Sequence, residues 1–208
     1  MEERQHVVVM GVAGSGKTTV AHLLGERLGW VVAEADEFHP AANVAKMAAG
    51  HPLTDEDRWP WLAAIAAWIG EQDAAGRSSV VTCSALKRAY RDVLAAAPGR
   101  VRFLHLSGSP DLIGDRMTHR TGHFMPTTLL PSQFATLEPL EPDEDGVAVP
   151  VTASPDDVVD AALAALGLTA AASSTTSGTP AGASGGEPDP LSTAAPDNTV
   201  APEQTKES

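Results

Sequence analysis

The amino-acid sequence predicts an α/β fold of three layers: a mostly parallel central sheet of about five strands, with helices on both faces. Two observations point there. Short apolar runs alternate with stretches of helical spacing along residues 1–168, the pattern of strand–helix units around a parallel sheet. The runs themselves are almost continuously apolar, as strands covered on both faces must be.

The elements follow in order. "HVVVM" reads as a buried strand, and "GKTTVAHLLGERLG" as a helix closed by glycine. "WVVAE" is a second strand. "WPWLAAIAAWIGEQDAAG" is expected to be a helix with Pro60 in its first turn, where the missing N–H costs nothing. "SSVVTCS" is a third strand and "LKRAYRDVLAAA" a helix. "VRFLHLS" is a fourth strand, followed by the helix "PDLIGDRMTHR". "GVAVPVTA" gives a short fifth strand. "SPDDVVDAALAALG" closes the series as a helix with Ser154 as N-cap.

Composition changes near Leu168. Residues 169–208 are rich in Ala, Ser, Thr, Gly and Pro and carry no aromatic residue. Such a segment buries too little apolar surface to offset its ordering entropy. A disordered, solvating tail is therefore expected after a domain at 1–168. The chain has one cysteine, which excludes an internal disulfide framework. No apolar run is of bilayer length, and "MEERQHVVVMG" lacks the apolar region of a signal peptide. A cytoplasmic protein without a membrane partner is expected. The formal charge of -13 argues against a nucleic-acid partner, which needs a basic face.

At 11–18 the sequence reads "GVAGSGKT", the phosphate-loop pattern G-x-x-x-x-G-K-[ST], between an apolar strand and a helix. Glycines let backbone N–H groups turn toward phosphate oxygens, and the helix start adds its positive dipole end. Gly11, Val12, Ala13, Gly14, Ser15, Gly16, Lys17, Thr18 and Thr19 are the candidate nucleotide contacts. Lys17 is expected to reach the β- and γ-phosphates and Thr18 to hold Mg²⁺, so ATP and Mg²⁺ are the expected ligands. Neither a guanine-recognition N-K-x-D motif nor a later strand ending in Asp is present. The acids instead follow the second strand, at Glu34 and Asp36. In an extended segment the two point to one side. Glu34 is then expected to help hold Mg²⁺ through water, and Asp36 to meet an acceptor hydroxyl. The plain alternative is two acids on a solvated loop.

The stretch 36–62 carries the acceptor side. It shows Asp36, His39-Pro40, Asn43, Lys46-Met47, Gly50, Pro52-Leu53, Asp55, Asp57-Arg58 and Pro60-Trp61-Leu62. Together with "CSALKRAYRD", "RTGHFMP", "SQFATLEPLE" and the phosphate loop, it resembles the gluconokinase family, the small P-loop gluconate kinases. The five motifs fall in the family's order over about 5–168. Three positions depart from the family pattern: Glu34 and Ala35 stand where Asp and Gly are usual, and Phe38 where Leu is usual. The resemblance implies the three-layer P-loop kinase fold with a lid segment. It also implies ATP-dependent phosphorylation of D-gluconate at its 6-hydroxyl, in gluconate catabolism feeding the pentose phosphate and Entner–Doudoroff routes. It is compatible with a homodimer.

Gluconate has a carboxylate at one end and the reacting primary alcohol at the other. Asp36 is the candidate base or positioner at the alcohol. His39 and Arg58 are candidate substrate contacts; otherwise His39 shapes a turn before Pro40 and Arg58 pairs with Asp55 or Asp57. Ser84 is expected to cap a helix on which Lys87 and Arg91, four residues apart, face one side, as carboxylate contacts or as a solvated face. Trp59, Trp61 and Trp68 are read as packing groups, and Cys83 as a small buried residue. Arg116 and Arg120 lie four apart on a helix leading into Gly122, where a lid closing over ATP would bring them onto phosphate. Arg120 is the candidate for the transferred phosphoryl group, and Arg116 for the nucleotide. His123 and Gln133 are candidate contacts from the same flap. Two other readings compete: a shikimate or nucleoside-phosphate kinase, and a nucleotide-binding regulator without chemistry.

Overall fold

The computed structural model describes residues 4–118 and 130–170. The strands are β1 (Gln5–Met10), β2 (Val31–Glu34), β3 (Ser79–Thr82), β4 (Arg100–Ser107) and β5 (Gly146–Pro150). They form one sheet in the order β2-β3-β1-β4-β5, and every pairing is parallel. All five carboxyl ends therefore meet at one rim. The helices are α1 (Lys17–Leu28), α2 (Ala41–Ala48), α3 (Asp55–Ala74), α4 (Arg88–Ala95), α5 (Pro110–Thr118), α6 (Leu130–Thr136) and α7 (Pro155–Leu166).

Side-chain alternation along β1 divides the core. Val7 and Val9 join a cluster with Leu24 of α1 and Val159 and Leu163 of α7. Val8 and Met10 join the opposite cluster with Leu62, Ile65 and Ile69 of α3 and Tyr90 and Leu94 of α4. From His6 to Met10 each β1 side chain is thus buried whichever way it points. On the first face α1 lies close to β2: a Cβ added at Gly25 would stand 2.1 Å from Val32 Cγ2. Among the described residues no helix is long and apolar enough to cross a membrane.

The expected strands are all present, and Ser154 does cap α7, its hydroxyl accepting from the Asp157 N–H. The third helix differs. It begins at Asp55, because Thr54 and Asp57 form a reciprocal capping box and three acids fill its first turn, both favourable at a helix start. Pro60 consequently lies inside the helix rather than in its first turn. It is exposed, so the carbonyl it leaves without a partner is open to water. α2, α6 and a 3-10 turn at Ala35–Phe38 are additional elements.

Candidate active site

The phosphate loop leaves β1 at the carboxyl rim. Gly11, Gly14 and Gly16 have φ of 139°, 78° and 94°, where a side chain is strained. Space forbids one as well at two of them: a Cβ at Gly11 would stand 2.9 Å from the Leu106 carbonyl oxygen, and one at Gly14 2.5 Å from Met117 Cγ. No side chain caps α1, so its first-turn N–H groups stay open to an anion. The Lys17 ammonium donates to the Val12 carbonyl at 2.9 Å. Burial pulls its pKa down, while Cys83, Asp36 and Glu34 pull it up. The buried Ser15 hydroxyl has no hydrogen-bond partner among the described residues. A glycine cradle, an uncapped helix start and a desolvated ammonium fit a polyphosphate. Beside the loop lies a groove of about 310 Å³, lined in part by Gly14, Gly16, Thr19, Arg116, Val151 and Pro155. The Arg116 guanidinium donates to the Val151 carbonyl at its edge.

Glu34 ends β2 behind this loop. Its Oε2 accepts from Thr82 at 2.7 Å and from Thr18 at 3.2 Å. Its Oε1 is buried without a hydrogen-bond partner among the described residues, 3.8 Å from His22 Nε2. With its proton directed at Glu34, the Thr18 hydroxyl has lone pairs left for a cation. Among the described residues there is no group of three or more His, Cys, Asp or Glu that could hold a metal. Magnesium here would take Thr18, phosphate and water, its usual environment, with Glu34 as the acid behind Thr18. The 3-10 turn corrects one expectation: the extended chain stops at Glu34, so strand alternation does not set Asp36. Instead Ala35 is buried and Asp36 is exposed, and the Ala35 carbonyl accepts from Trp61 Nε1 at 2.7 Å. The His39 ring stacks on Trp61, centroids 4.4 Å apart. Burial lowers the His39 pKa, Asp36 raises it and Arg58 lowers it further. Cys83 is buried as expected, and desolvation pushes its thiol up to about 12.

The cations beyond Asp36 fall into two groups. Arg58 donates to the Tyr90 hydroxyl at 2.8 Å, Tyr90 donates to Asp55 at 2.6 Å, and Lys87 holds Asp55 at 2.7 and 3.0 Å. Arg91 is the correction. It is fully buried, paired with Glu144 at 2.5 Å, and donates to the carbonyls of Ala85, Glu138 and Pro139. A guanidinium so enclosed has no face for a substrate. The expected helix register fails for the same stretch: α4 starts at Arg88 with Lys87 as its N-cap residue, so Lys87 and Arg91 do not share a helical face. Ser84 is not the cap; its carbonyl accepts from the Gly11 N–H at 3.3 Å, tying the end of β3 to the phosphate loop. Trp61 and Trp68 pack as expected, but Trp59 is 38 % exposed and meets the Tyr90 ring edge-on at 5.5 Å. Gln133 of α6 reaches the loop: its Oε1 accepts from the Ala13 N–H at 2.6 Å. Arg120 and His123 lie outside the described residues, as does the proposed tail from 171 onward. Two participants are not foreseen from the sequence: Thr82 carries no local signal, and Tyr90, the chain's one tyrosine, sits inside a motif read for its cations; Asp55 is expected only as a partner of Arg58.

A family model described as an AAA domain matches residues 7–140. A gluconokinase of Gluconobacter oxydans is 51% identical over 154 residues, covering 74% of this chain and 86% of that protein. The chain belongs to the gluconokinase family. Solved structures agree. A sugar kinase from Janibacter sp. HTCC2649 superposes with a TM-score of 0.76 at 53% identity, over 79% of this chain and 95% of that one. A gluconokinase from Sinorhizobium meliloti 1021 gives 0.70 at 47% identity, over 80% and 94%. In gluconokinase-family terms, the five-stranded parallel sheet and phosphate loop are those of a P-loop kinase, and the protein is an enzyme of that kind.

Proposed function

We propose that the protein transfers the γ-phosphoryl group of ATP to the 6-hydroxyl of D-gluconate, giving 6-phospho-D-gluconate and ADP. The observation that carries this most is geometric: Thr18, next to Lys17 in the phosphate loop, donates to Glu34 at 3.2 Å, and Glu34 leads directly into the turn that bears Asp36. Donor phosphates and an acceptor acid therefore address one space at the carboxyl rim. The kinship with gluconokinases supplies the acceptor.

The loop N–H groups and Lys17 bind and align the phosphates, and the groove beside Arg116 takes the nucleoside. Magnesium, when bound, screens charge between the β- and γ-phosphates, with Thr18 as its protein ligand. Asp36 orients the 6-hydroxyl and accepts its proton as the P–O bond forms. Arg120 is assigned to the oxygens of the transferred group, where a guanidinium fork meets two at once. His39 and Lys87 line the acceptor side. Residues 1–168 carry the chemistry in this reading and 169–208 do not. The setting is cytoplasmic gluconate catabolism.

A coupled ADP-release assay with D-gluconate, D-glucose, shikimate and nucleoside monophosphates tests the assignment. Gluconate is expected to be the preferred acceptor. Equal or better turnover of shikimate would overturn it, and ATP binding without turnover of any acceptor would favour a regulator.

A further inference from the structure

We infer that Arg58, oriented by the Tyr90–Asp55–Lys87 chain of hydrogen bonds, is the seat of the acceptor's carboxylate and the reason an aldonate is chosen over a neutral polyol. The inference rests on the proposed reaction and names which end of its substrate is read here.

The cluster lies at the start of α3, beside the turn that bears Asp36. Arg58 stands three residues before Trp61 on α3, and the Trp61 indole donates to the Ala35 carbonyl next to Asp36 and stacks on the His39 ring. Tyr90 is at its centre, only 2% exposed. The Arg58 guanidinium and the Lys87 ammonium stand 5.5 and 5.4 Å from its ring centre, within cation–π range. The hydrogen bonds run in one direction. Arg58 Nη1 donates to the Tyr90 oxygen, Tyr90 gives its proton to Asp55 Oδ1, and Lys87 closes on the same carboxylate. Asp55 thus fixes the phenol's proton, and the phenol's lone pair fixes the arginine.

Arg58 itself is not consumed by this. It stands 3.9 Å from Asp55, too far for a hydrogen bond. One of its N–H groups meets Tyr90, and the others have no partner among the described residues. A guanidinium has five donors in a planar fork, so a face suited to a carboxylate remains. The charge count agrees. Arg58 and Lys87 contribute two positive charges and Asp55 one negative, leaving one positive charge for a monoanionic acid. The nearby Lys46 is already neutralised by Asp57 at 2.5 Å. A neutral polyol would leave the arginine desolvated and unpaired, which selects against it. Tyr90 and Asp55 are positioning residues: they touch Arg58 or its support, not the reacting atoms.

The test compares D-gluconate with D-glucitol, which carries a neutral CH₂OH where gluconate has its carboxylate, in the parent enzyme, Tyr90→Phe and Arg58→Lys. Tyr90→Phe keeps the ring and removes the hydroxyl relay; Arg58→Lys keeps the charge and removes the fork. Each is expected to raise KM for gluconate about tenfold or more, the scale of one hydrogen bond to a charged group. Then kcat stays within about threefold and KM for ATP is unchanged, because the reacting end is untouched. The constant for glucitol, measured as KM or as inhibition of gluconate turnover, should not move. Three results would overturn the inference: gluconate KM within twofold of the parent in both variants, gluconate and glucitol weakening together, or kcat falling at constant KM. If Tyr90→Phe does not fold, Arg58→Lys, at a partly exposed side chain, decides alone. A parent enzyme that turns over no gluconate refutes the proposed reaction; one that does, with variants of unaltered KM, refutes only the carboxylate seat.

Discussion

At the scale of single residues, the proposed reaction divides the work between Lys17 on the donor side and Asp36 on the acceptor side. Lys17→Ala removes the ammonium placed against the phosphates, and with it charge stabilisation in the transition state. Because Lys17 makes one hydrogen bond, to Val12, its loss should leave the melting temperature nearly unchanged. Turnover should fall at least about a hundredfold, the scale of one well-placed electrostatic group. A variant within about tenfold of the parent, little more than ~1.4 kcal/mol of barrier, would contradict the role. Asp36→Asn is nearly isosteric but cannot take a proton. It should depress kcat far more than it alters KM for ATP, and steady-state kinetics with each substrate varied would show the reverse if Asp36 only steadies the nucleotide. Legibility at this scale was uneven. The loop glycines and Lys17 were readable because phosphate binding demands those residue types at fixed spacing. Arg91 was misread because sequence shows a charge and not its partner: Glu144 lies 53 residues on, and the pair is buried.

Elements were read well where periodicity was strong and poorly where local caps decide. All five strands and α7 were foreseen from apolar runs and the Ser154 cap. The start of α3 was not, since the Thr54–Asp57 capping box lay inside a stretch read for substrate contacts. α4 lost its first turn because Ala85 takes a positive φ of 42°, which no pattern in the sequence announces. The packing of α1 on β2 yields its own test. Gly25→Ala gains up to about 1 kcal/mol of helix propensity, but its methyl group would meet Val32 Cγ2, on a β-branched side chain in a strand hydrogen-bonded to β3. Overpacking of this kind typically costs about 1–3 kcal/mol, so a net loss of about 1 kcal/mol is expected. Urea denaturation would read it as a lower midpoint at unchanged slope, and a stabilised variant would show that α1 can withdraw from β2.

At the scale of the whole molecule, three histidines among the described residues favour their neutral form when folded. Burial lowers His6, His39 and His105 from the ordinary value of 6.5. Asp73 opposes the shift at His6, and Arg91 adds to it at His105. The unfolded chain therefore binds more protons than the folded one below about pH 6.5. Stability from this source is complete above that pH and is lost as pH falls toward the depressed folded values. Carboxylates held low by cations, Asp57 at about 2 among them, begin to contribute loss only near and below pH 4. Denaturation midpoints should be level from pH 8 to 7 and fall between 6.5 and 5. A flat profile through that window would mean that the histidines take up protons as readily in the folded state as in the unfolded one. The fold class itself was legible as a whole, because alternation of strand and helix is a global pattern that no single misplaced cap can erase.

The parallel arrangement of all five strands gives the molecule a working rim and a silent one. The turn that returns from α3 to β3 lies on the silent side, and at Gly76 and Arg77 it is exposed. A fluorophore, an affinity handle or a short inserted linker placed there would report on the enzyme as a spectator, and the same rim is where a fusion partner could be attached without standing in the way of either substrate.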